Sequence, residues 1–400
     1  MDNLSKQIEH GGSTLSGILL VAGTSIGAGM LALPVVTGEA GFLPSLFISF
    51  LCWLYMLLTG LLFLEATLWM PDGANLLSMA KRFVGRKGEI VSGLFFIFLY
   101  YCLMISYVSK GAQLLFSSIE GFWIYWIFAA FFGGIIAIGS RFIDRVNGIL
   151  MLGMLLSYCL LLAMGSQQVR MEYLVRSYWP ITIFAAPTLF SAYGYHNIIP
   201  SIASYLNRDV KNLRKAIVGG TFLTFCIYAF WLWVAIGSLP KEVLVHGVQE
   251  QLSASELLMQ ETGSSFLGQA SLFFGFFAIV TSVLGVGFSM VDFLADGLNV
   301  TREGIVRVGL SALVFIPPAL IAGFYKDIFL SALGIAGGFG EAFLNGLLPV
   351  WMVYVGRYRM GLSQDNSWGG KFLLWGLGLV AILIMGVEIY LLTDIPYFTG

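Results

Sequence analysis

Charged side chains are scarce in this 400-residue chain: aspartate, glutamate, lysine and arginine together make up 11%, against roughly 25% in a soluble domain. The net charge is −1, so the chain offers no basic surface for a nucleic-acid backbone. Only four cysteines occur, and Cys52, Cys102, Cys159 and Cys226 all fall inside apolar runs. Their spacing suits neither a metal site nor an extracellular disulfide framework, so they read as small buried residues. There is no Gly-x-x-x-x-Gly-Lys-Ser/Thr phosphate loop, which argues against ATP-driven chemistry by this chain alone. No Ser/His, paired-Asp or zinc motif stands at matching depth, which argues against an enzyme, and no cofactor is implied.

What the chain has in excess is apolar length. Hydrophobic residues make up 58%, mean hydropathy is +0.86, and runs of about 20 residues are each long enough to cross the hydrocarbon core as helix. The short alternating segments of a membrane β-barrel are missing. Eleven spans are expected, at 14–38, 42–69, 89–117, 122–140, 146–165, 180–205, 214–237, 266–298, 304–323, 327–355 and 372–393. The fold class is therefore an all-α integral membrane protein with eleven transmembrane helices. The first run lacks a small-residue cleavage site and reads as a retained span, not a signal peptide.

An odd number of spans puts the termini on opposite sides, and lysine and arginine decide which is which. With the N-terminus cytoplasmic, that side holds Lys6; Lys81, Arg82, Arg86 and Lys87; Arg141 and Arg145; Arg208, Lys211, Arg214 and Lys215; Arg302 and Arg307; and Arg357, Arg359 and Lys371. These are sixteen of the 21 basic residues. Arg170, Arg176, Lys241 and Lys326 fall outside, and Lys110 within a span. Residues 72–88 read either as a basic amphipathic helix on the cytoplasmic face or as an ordinary positive loop. The longest polar loop, 238–265, is too short for a soluble domain.

Helix formers fail at one place where lipid should demand them. Residues 23–34 read Gly-Thr-Ser-Ile-Gly-Ala-Gly-Met-Leu-Ala-Leu-Pro, in the middle of the first span. Backbone left unpaired in hydrocarbon costs several kcal/mol per group, so a break survives only where protein or a polar cavity receives it. A second break, Ser191-Ala-Tyr-Gly-Tyr-His-Asn-Ile-Ile-Pro200, lies in the sixth span. Setting Pro34 against Pro200 gives an offset of 166 residues and pairs Ala28-Gly29 with Gly194-Tyr195. Alone, Gly23-x-x-x-Gly27 would read as a helix-packing face. Paired breaks five spans apart instead point to an inverted 5+5 repeat with discontinuous helices 1 and 6, and to a solute site between them. The repeats would run over 14–165 and 180–355, with 372–393 as an extra helix. The N–H groups of a broken helix suit an anionic group.

At these motifs the chain resembles the hydroxy and aromatic amino acid permeases of the amino acid–polyamine–organocation superfamily, and within them the tyrosine-specific branch. The resemblance rests on residues 21–34, Tyr193–Ile202 and Thr281–Asp296, and runs over nearly the whole chain. It implies bacterial inner-membrane uptake of an aromatic amino acid, most of all tyrosine, by proton symport. It also implies that the amides and hydroxyls of Thr24, Ser25, Gly27 and Gly29 hold the carboxylate, with Gly23 and Ala28 beside them in the substrate site. Carbonyls near Tyr193 and Gly194 would hold the ammonium. Sodium-coupled relatives take cation ligands from the first and eighth spans, where Thr281 and Ser282 stand here. The span-five lysine of many proton-coupled relatives is missing between 146 and 165.

An aromatic ring needs an apolar slot with few polar groups, and Tyr101, Tyr107, Tyr195 and Phe288 are candidates. His196 or Asn197 would suit a phenol hydroxyl. Ionisable residues inside spans are candidates for ion coupling, here Glu341, Lys110 and His196. Asp292, Asp296 and Glu65 lie nearer the cytoplasmic boundary. The expected partners are an amino acid, a proton and the lipid bilayer. Alternatives are a serine, threonine or tryptophan symporter, one coupled to sodium, or an amino-acid-binding membrane sensor.

Overall fold

The apolar runs become helices because their backbone groups have no other partner in hydrocarbon. The computed structural model describes residues 12–116, 119, 121–262, 266–301, 303–362 and 369–393, with backbone alone at 140–147. Lys6 and Arg302 lie outside the described residues, as do the side chains of Arg141 and Arg145. Eight described helices are long and apolar enough to cross a membrane: Phe42–Leu68 (span two), Arg86–Leu115 (three), Gly148–Gly165 (five), Val210–Ser238 (seven), Phe266–Leu298 (eight), Gly304–Phe324 (nine), Phe329–Tyr358 (ten) and Lys371–Thr393 (eleven). Span one is a broken pair, Thr14–Ser25 and Ala28–Gly38, bent by 54°. Span four is the shorter apolar helix Trp123–Ile138. Span six is interrupted, running as Trp179–Ala185, Ala186–Ala192, His196–Ile198 and Ile199–Tyr205. These are the eleven helices expected, with one and six discontinuous.

Two features go beyond the expected spans. The stretch 72–88 forms a short helix, Leu76–Val84, whose N-terminus is closed by a capping box between Asn75 and Ser78. Gly85, at φ +87, then turns the chain directly into span three, a conformation that favours glycine. The loop at 238–265 carries two helices, Lys241–Gln249 and Ala254–Thr262. One reading is corrected: Cys52 and Cys102 are buried, but Cys159 is exposed and Cys226 half-buried.

Polar contacts close the two ends of the bundle. At the N-terminal face, the Gly12 amide donates to the Tyr205 carbonyl at 2.9 Å. Arg208 donates to the free carbonyls of Thr67, Leu68 and Met70 at the end of span two. There Arg357 also grips Glu65 with two hydrogen bonds, of 2.7 and 2.5 Å, joining spans ten and two. At the opposite face, Lys241 pairs with Glu39 at 3.2 Å, holding the hairpin of 241–262 over span one.

Span ten departs most from regular geometry. Its middle, Ala336–Leu347, is π-helical, in the sequence Ala-Gly-Gly-Phe-Gly-Glu-Ala-Phe-Leu-Asn-Gly-Leu. The glycines there permit close approach: a Cβ on Gly337 would stand 1.8 Å from the Pro187 carbonyl oxygen of span six. Gly337→Ala is therefore expected to lower the thermal stability of the detergent-purified protein by about 1–3 kcal/mol or more through overpacking. Gly386→Ala in span eleven, where a Cβ meets nothing within 4 Å, is expected to leave the midpoint within the error of the same melting assay.

Candidate functional site

The helix that opens span one ends at Ser25. Ile26 and Gly27 are extended, and a 3-10 turn, Ala28–Leu31, restarts the chain before Leu33–Gly38. Gly27 has φ −165, which any residue adopts, so glycine is needed here for room. A Cβ would lie 2.4 Å from the Ser282 hydroxyl of span eight. That hydroxyl accepts from the Ala28 amide at 2.9 Å and donates to Ala278. Trp231 of span seven donates to the Met30 carbonyl at 2.8 Å. Among the described residues, the amides of Gly27 and Gly29 meet no acceptor.

Span six unwinds beside it. A Cβ on Gly29 would approach Ala192 Cα to 3.0 Å, so the two breaks touch. Tyr228 of span seven ties them together, its hydroxyl donating to the Ser25 carbonyl at 2.7 Å and the Ala192 carbonyl at 2.9 Å. The side chains of the unwound stretch divide by direction. Tyr193 pairs its hydroxyl with Ser49, Tyr195 donates to the Met56 carbonyl, and His196 Nε2 meets the Thr59 hydroxyl. All three thus fasten span six onto span two. Gly194 and Asn197 face the other way, into a cavity of about 770 Å³.

That cavity gathers much of what the sequence singles out. Its wall includes Gly23, Thr24, Ser25, Gly27, Ala28 and Gly29 from span one. Tyr107, Phe288, Thr281, Ser282 and Glu341 come from spans three, eight and ten. The Thr24 and Ser25 hydroxyls donate back to the carbonyls of Leu20 and Val21, so the donors left over in this stretch are backbone amides. Thr281 likewise donates to Phe277. Glu341, buried, accepts from Asn345 within its own helix. Its Oε1 would be 2.5 Å from a Cβ on Gly194, so a carboxyl group faces the break in span six. The cavity reaches the N-terminal face at Gly73, Asn75, Ser204 and Asp296. Its lining contains no residue of the hairpin at 241–262.

Five candidates stand off the wall, each for a physical reason. Tyr193, Tyr195 and His196 are turned to span two, as above. Tyr101 points to span nine, where its hydroxyl donates to the Leu313 carbonyl at 2.9 Å. Lys110 lies near the opposite face, its ammonium 3.0 Å from Glu256 and 2.8 Å from Gln113 Oε1, over the Phe329 ring. Glu256 is in turn held by the Ser253 amide and hydroxyl. In this conformation Lys110 is a fully partnered latch between span three and the hairpin.

A model of the tryptophan/tyrosine permease family matches residues 10–391. The chain belongs to the tryptophan/tyrosine permease family. It is 33% identical over 399 residues to the tyrosine-specific transport system 1 of Haemophilus influenzae, covering 96% of each chain. It is 27% identical to the tryptophan-specific transport protein of Pseudomonas aeruginosa, over 94% of this chain and 93% of that one. Among solved structures it resembles MhsT in complex with L-phenylalanine, with a TM-score of 0.64 and 16% identity, over 95% of this chain and 99% of that one. That likeness concerns the fold. The tryptophan/tyrosine permeases are multi-pass membrane transport proteins, so this chain is a permease and not an enzyme.

The cavity of this permease also holds residues that the motifs do not reveal. Tyr100 lines it and accepts from Asn197 Nδ2 at 3.2 Å. Phe96, Leu99, Leu103 and Tyr107 line it with Tyr100. Their spacing of three and four is one helical face, and it selects Tyr100 over Tyr101. Tyr228 and Trp231 carry no such signal, because the carbonyls they satisfy exist only once the breaks form.

Tyr228→Phe is expected to cost about 1–3 kcal/mol of stability, read as a lower thermal midpoint, because two buried carbonyls lose their donor. Gly27→Leu is expected to abolish substrate binding, measured by scintillation proximity, while the protein still inserts and purifies as a monodisperse species. Binding by that variant at wild-type affinity would remove span one from the site.

Proposed function

We propose that this permease imports tyrosine by proton symport, alternating its access around the paired breaks of spans one and six. One arrangement carries the reading. Gly27 and Gly29, whose amides meet no acceptor among the described residues, line the cavity where the two breaks touch, and the Glu341 carboxyl group lies against Gly194 in the same wall. A zwitterion needs donors and acceptors a few ångströms apart, and these amides together with the Glu341 carboxyl group supply both. The repeats would be 14–165 and 180–355, with 372–393 appended. The wealth of lysine and arginine on the N-terminal face favours the cytoplasm there, with the C-terminus periplasmic in a bacterial inner membrane. The cavity then opens inward.

An aromatic side chain would lie among Phe96, Leu103 and Phe288, beside the polar pair of Tyr100 and Asn197. Asn197 uses one N–H on Tyr100, which leaves its carbonyl oxygen and second N–H for a phenol hydroxyl. The relative named for tyrosine supports the same choice. A proton acceptor is at hand in Glu341, which shares the wall with the amino-acid site. Sodium coupling has one observation in its favour, the Ser282 hydroxyl against the Gly27–Ala28 backbone, but that oxygen already accepts from the Ala28 amide.

In proteoliposomes, an imposed pH gradient, acid outside, in sodium-free buffer is expected to drive labelled tyrosine uptake. Strict dependence on added sodium would overturn proton symport, and stronger competition by serine than by tryptophan or phenylalanine would overturn the aromatic slot. Asn197→Leu is expected to weaken tyrosine binding roughly tenfold, as loss of one hydrogen bond of about 1.4 kcal/mol implies, with phenylalanine competition unchanged.

A further inference from the structure

One acid within the membrane belongs to neither the breaks nor the cavity. Glu388 lies in span eleven and is 3% exposed. Its Oε2 has no hydrogen-bond partner among the described residues. The side chain occupies a notch cut into span ten. A Cβ on Gly334 would stand 3.2 Å from Glu388 Oε1, and one on Gly338 would stand 2.5 Å from Glu388 Cβ. These glycines are four residues apart, on one face of the helix, so any side chain at either would crowd the carboxyl group.

Among the described residues, the surroundings offer this acid no counter-charge. Span three brings Cys102 within electrostatic reach. Span two brings Tyr55, whose hydroxyl is engaged by the Leu377 carbonyl. Span ten carries Glu341, Tyr354 and Tyr358, and the packed segments Trp179–Ala185 and Ala186–Ala192 of span six carry no titratable group. On span eleven itself stand Tyr390 and Lys371, the latter over the Tyr358 ring. Lys371 is 17 residues from Glu388, roughly 25 Å along the helix. Arg357 sits at the same end as Lys371 and is held by Glu65, and Arg359 follows it. An ionised carboxylate in such a notch would cost several kcal/mol, so the conformation described holds the acid in its neutral, protonated form.

We propose that Glu388 is a proton-binding site of the transport cycle, set apart from the substrate cavity and linked to it through the π-helical stretch of span ten. The inference rests on the proton-symport reading. Gly338 backs Glu388, and three residues on Glu341 faces the Gly194 break. Both contacts fall within Ala336–Leu347, where the backbone is not locked in α-helical register. When the carboxyl group releases its proton to water, the resulting carboxylate leaves the dry notch or draws water into it. Either change moves span ten, and with it Glu341 and Asn345 on the cavity side.

Two readouts on purified protein in liposomes test this. In infrared difference spectra between acid and alkaline buffer, wild type is expected to show a protonated-carboxyl band component that Glu388→Gln removes. In transport, Glu388→Gln is expected to lower tyrosine accumulation under an imposed pH gradient at least tenfold while keeping tyrosine exchange without a gradient. Glu388→Asp, still titratable, is expected to keep part of the accumulation. An unchanged band overturns the proposal, as does wild-type accumulation by Glu388→Gln. Equal loss of exchange in Gln and Asp variants also overturns it, because that outcome marks a packing role. Wild-type protein that ignores the pH gradient would instead defeat the symport reading, while the infrared band still reports whether Glu388 carries a proton.

Discussion

Backbone polar groups cannot be left unpaired in hydrocarbon, and the centre of this protein is organised by that constraint. Two spans stop being helical at the same depth, which frees amides and carbonyls that lipid cannot serve. Span seven answers from one side, with Tyr228 on the Ser25 and Ala192 carbonyls and Trp231 on the Met30 carbonyl. Span eight answers from another, with Ser282 on the Ala28 amide. The groups that no neighbour reaches border the cavity. The cavity wall is thus the remainder left when the scaffold has satisfied all it can.

Glycine serves mainly as absent volume here. Gly27 makes room for a hydroxyl, Gly29 for the backbone of span six, Gly194 for a carboxyl group and Gly337 for a carbonyl. At Gly27, Gly194 and Gly337 the close approach brings a polar atom against a main chain that would otherwise be shielded by a methyl group. A small side chain at any of these three would wedge the helices apart and silence a polar contact together. This couples packing to chemistry: the residues that let the bundle close are those that define what the cavity can recognise.

The large features were legible because they are local and periodic. Apolar length gives the spans, and paired glycine–proline interruptions give the breaks, since both depend on residues within one helix. Side-chain direction inside an unwound stretch is different. Without a 3.6-residue period nothing assigns Tyr193, Tyr195 and His196 to span two or Gly194 and Asn197 to the cavity; distant partners such as Ser49 and Thr59 decide it. Lys110 likewise finds Glu256, 146 residues away, and becomes a latch. Tyr100 is another matter, for the period of span three points to it and Tyr101 lies about 100° round the helix. Glu388 was also within reach of the rule that acids inside spans are suspect. The π-helical register of span ten had no such signature, since a glycine-rich apolar run fits several helical pitches.

The Tyr228 hydroxyl has a single proton and two carbonyls to share it, one from each broken helix. Such a donor behaves as a pivot. If span one swings away, the proton settles wholly on the Ala192 carbonyl, and if span six swings, on the Ser25 carbonyl. In neither case is the hydroxyl stranded, and only the carbonyl that departs has to find another donor. A bifurcated bond at the meeting point of two broken helices keeps its donor paired whichever helix moves, so a displacement of either one would leave a single carbonyl, and not a donor as well, in need of a new partner.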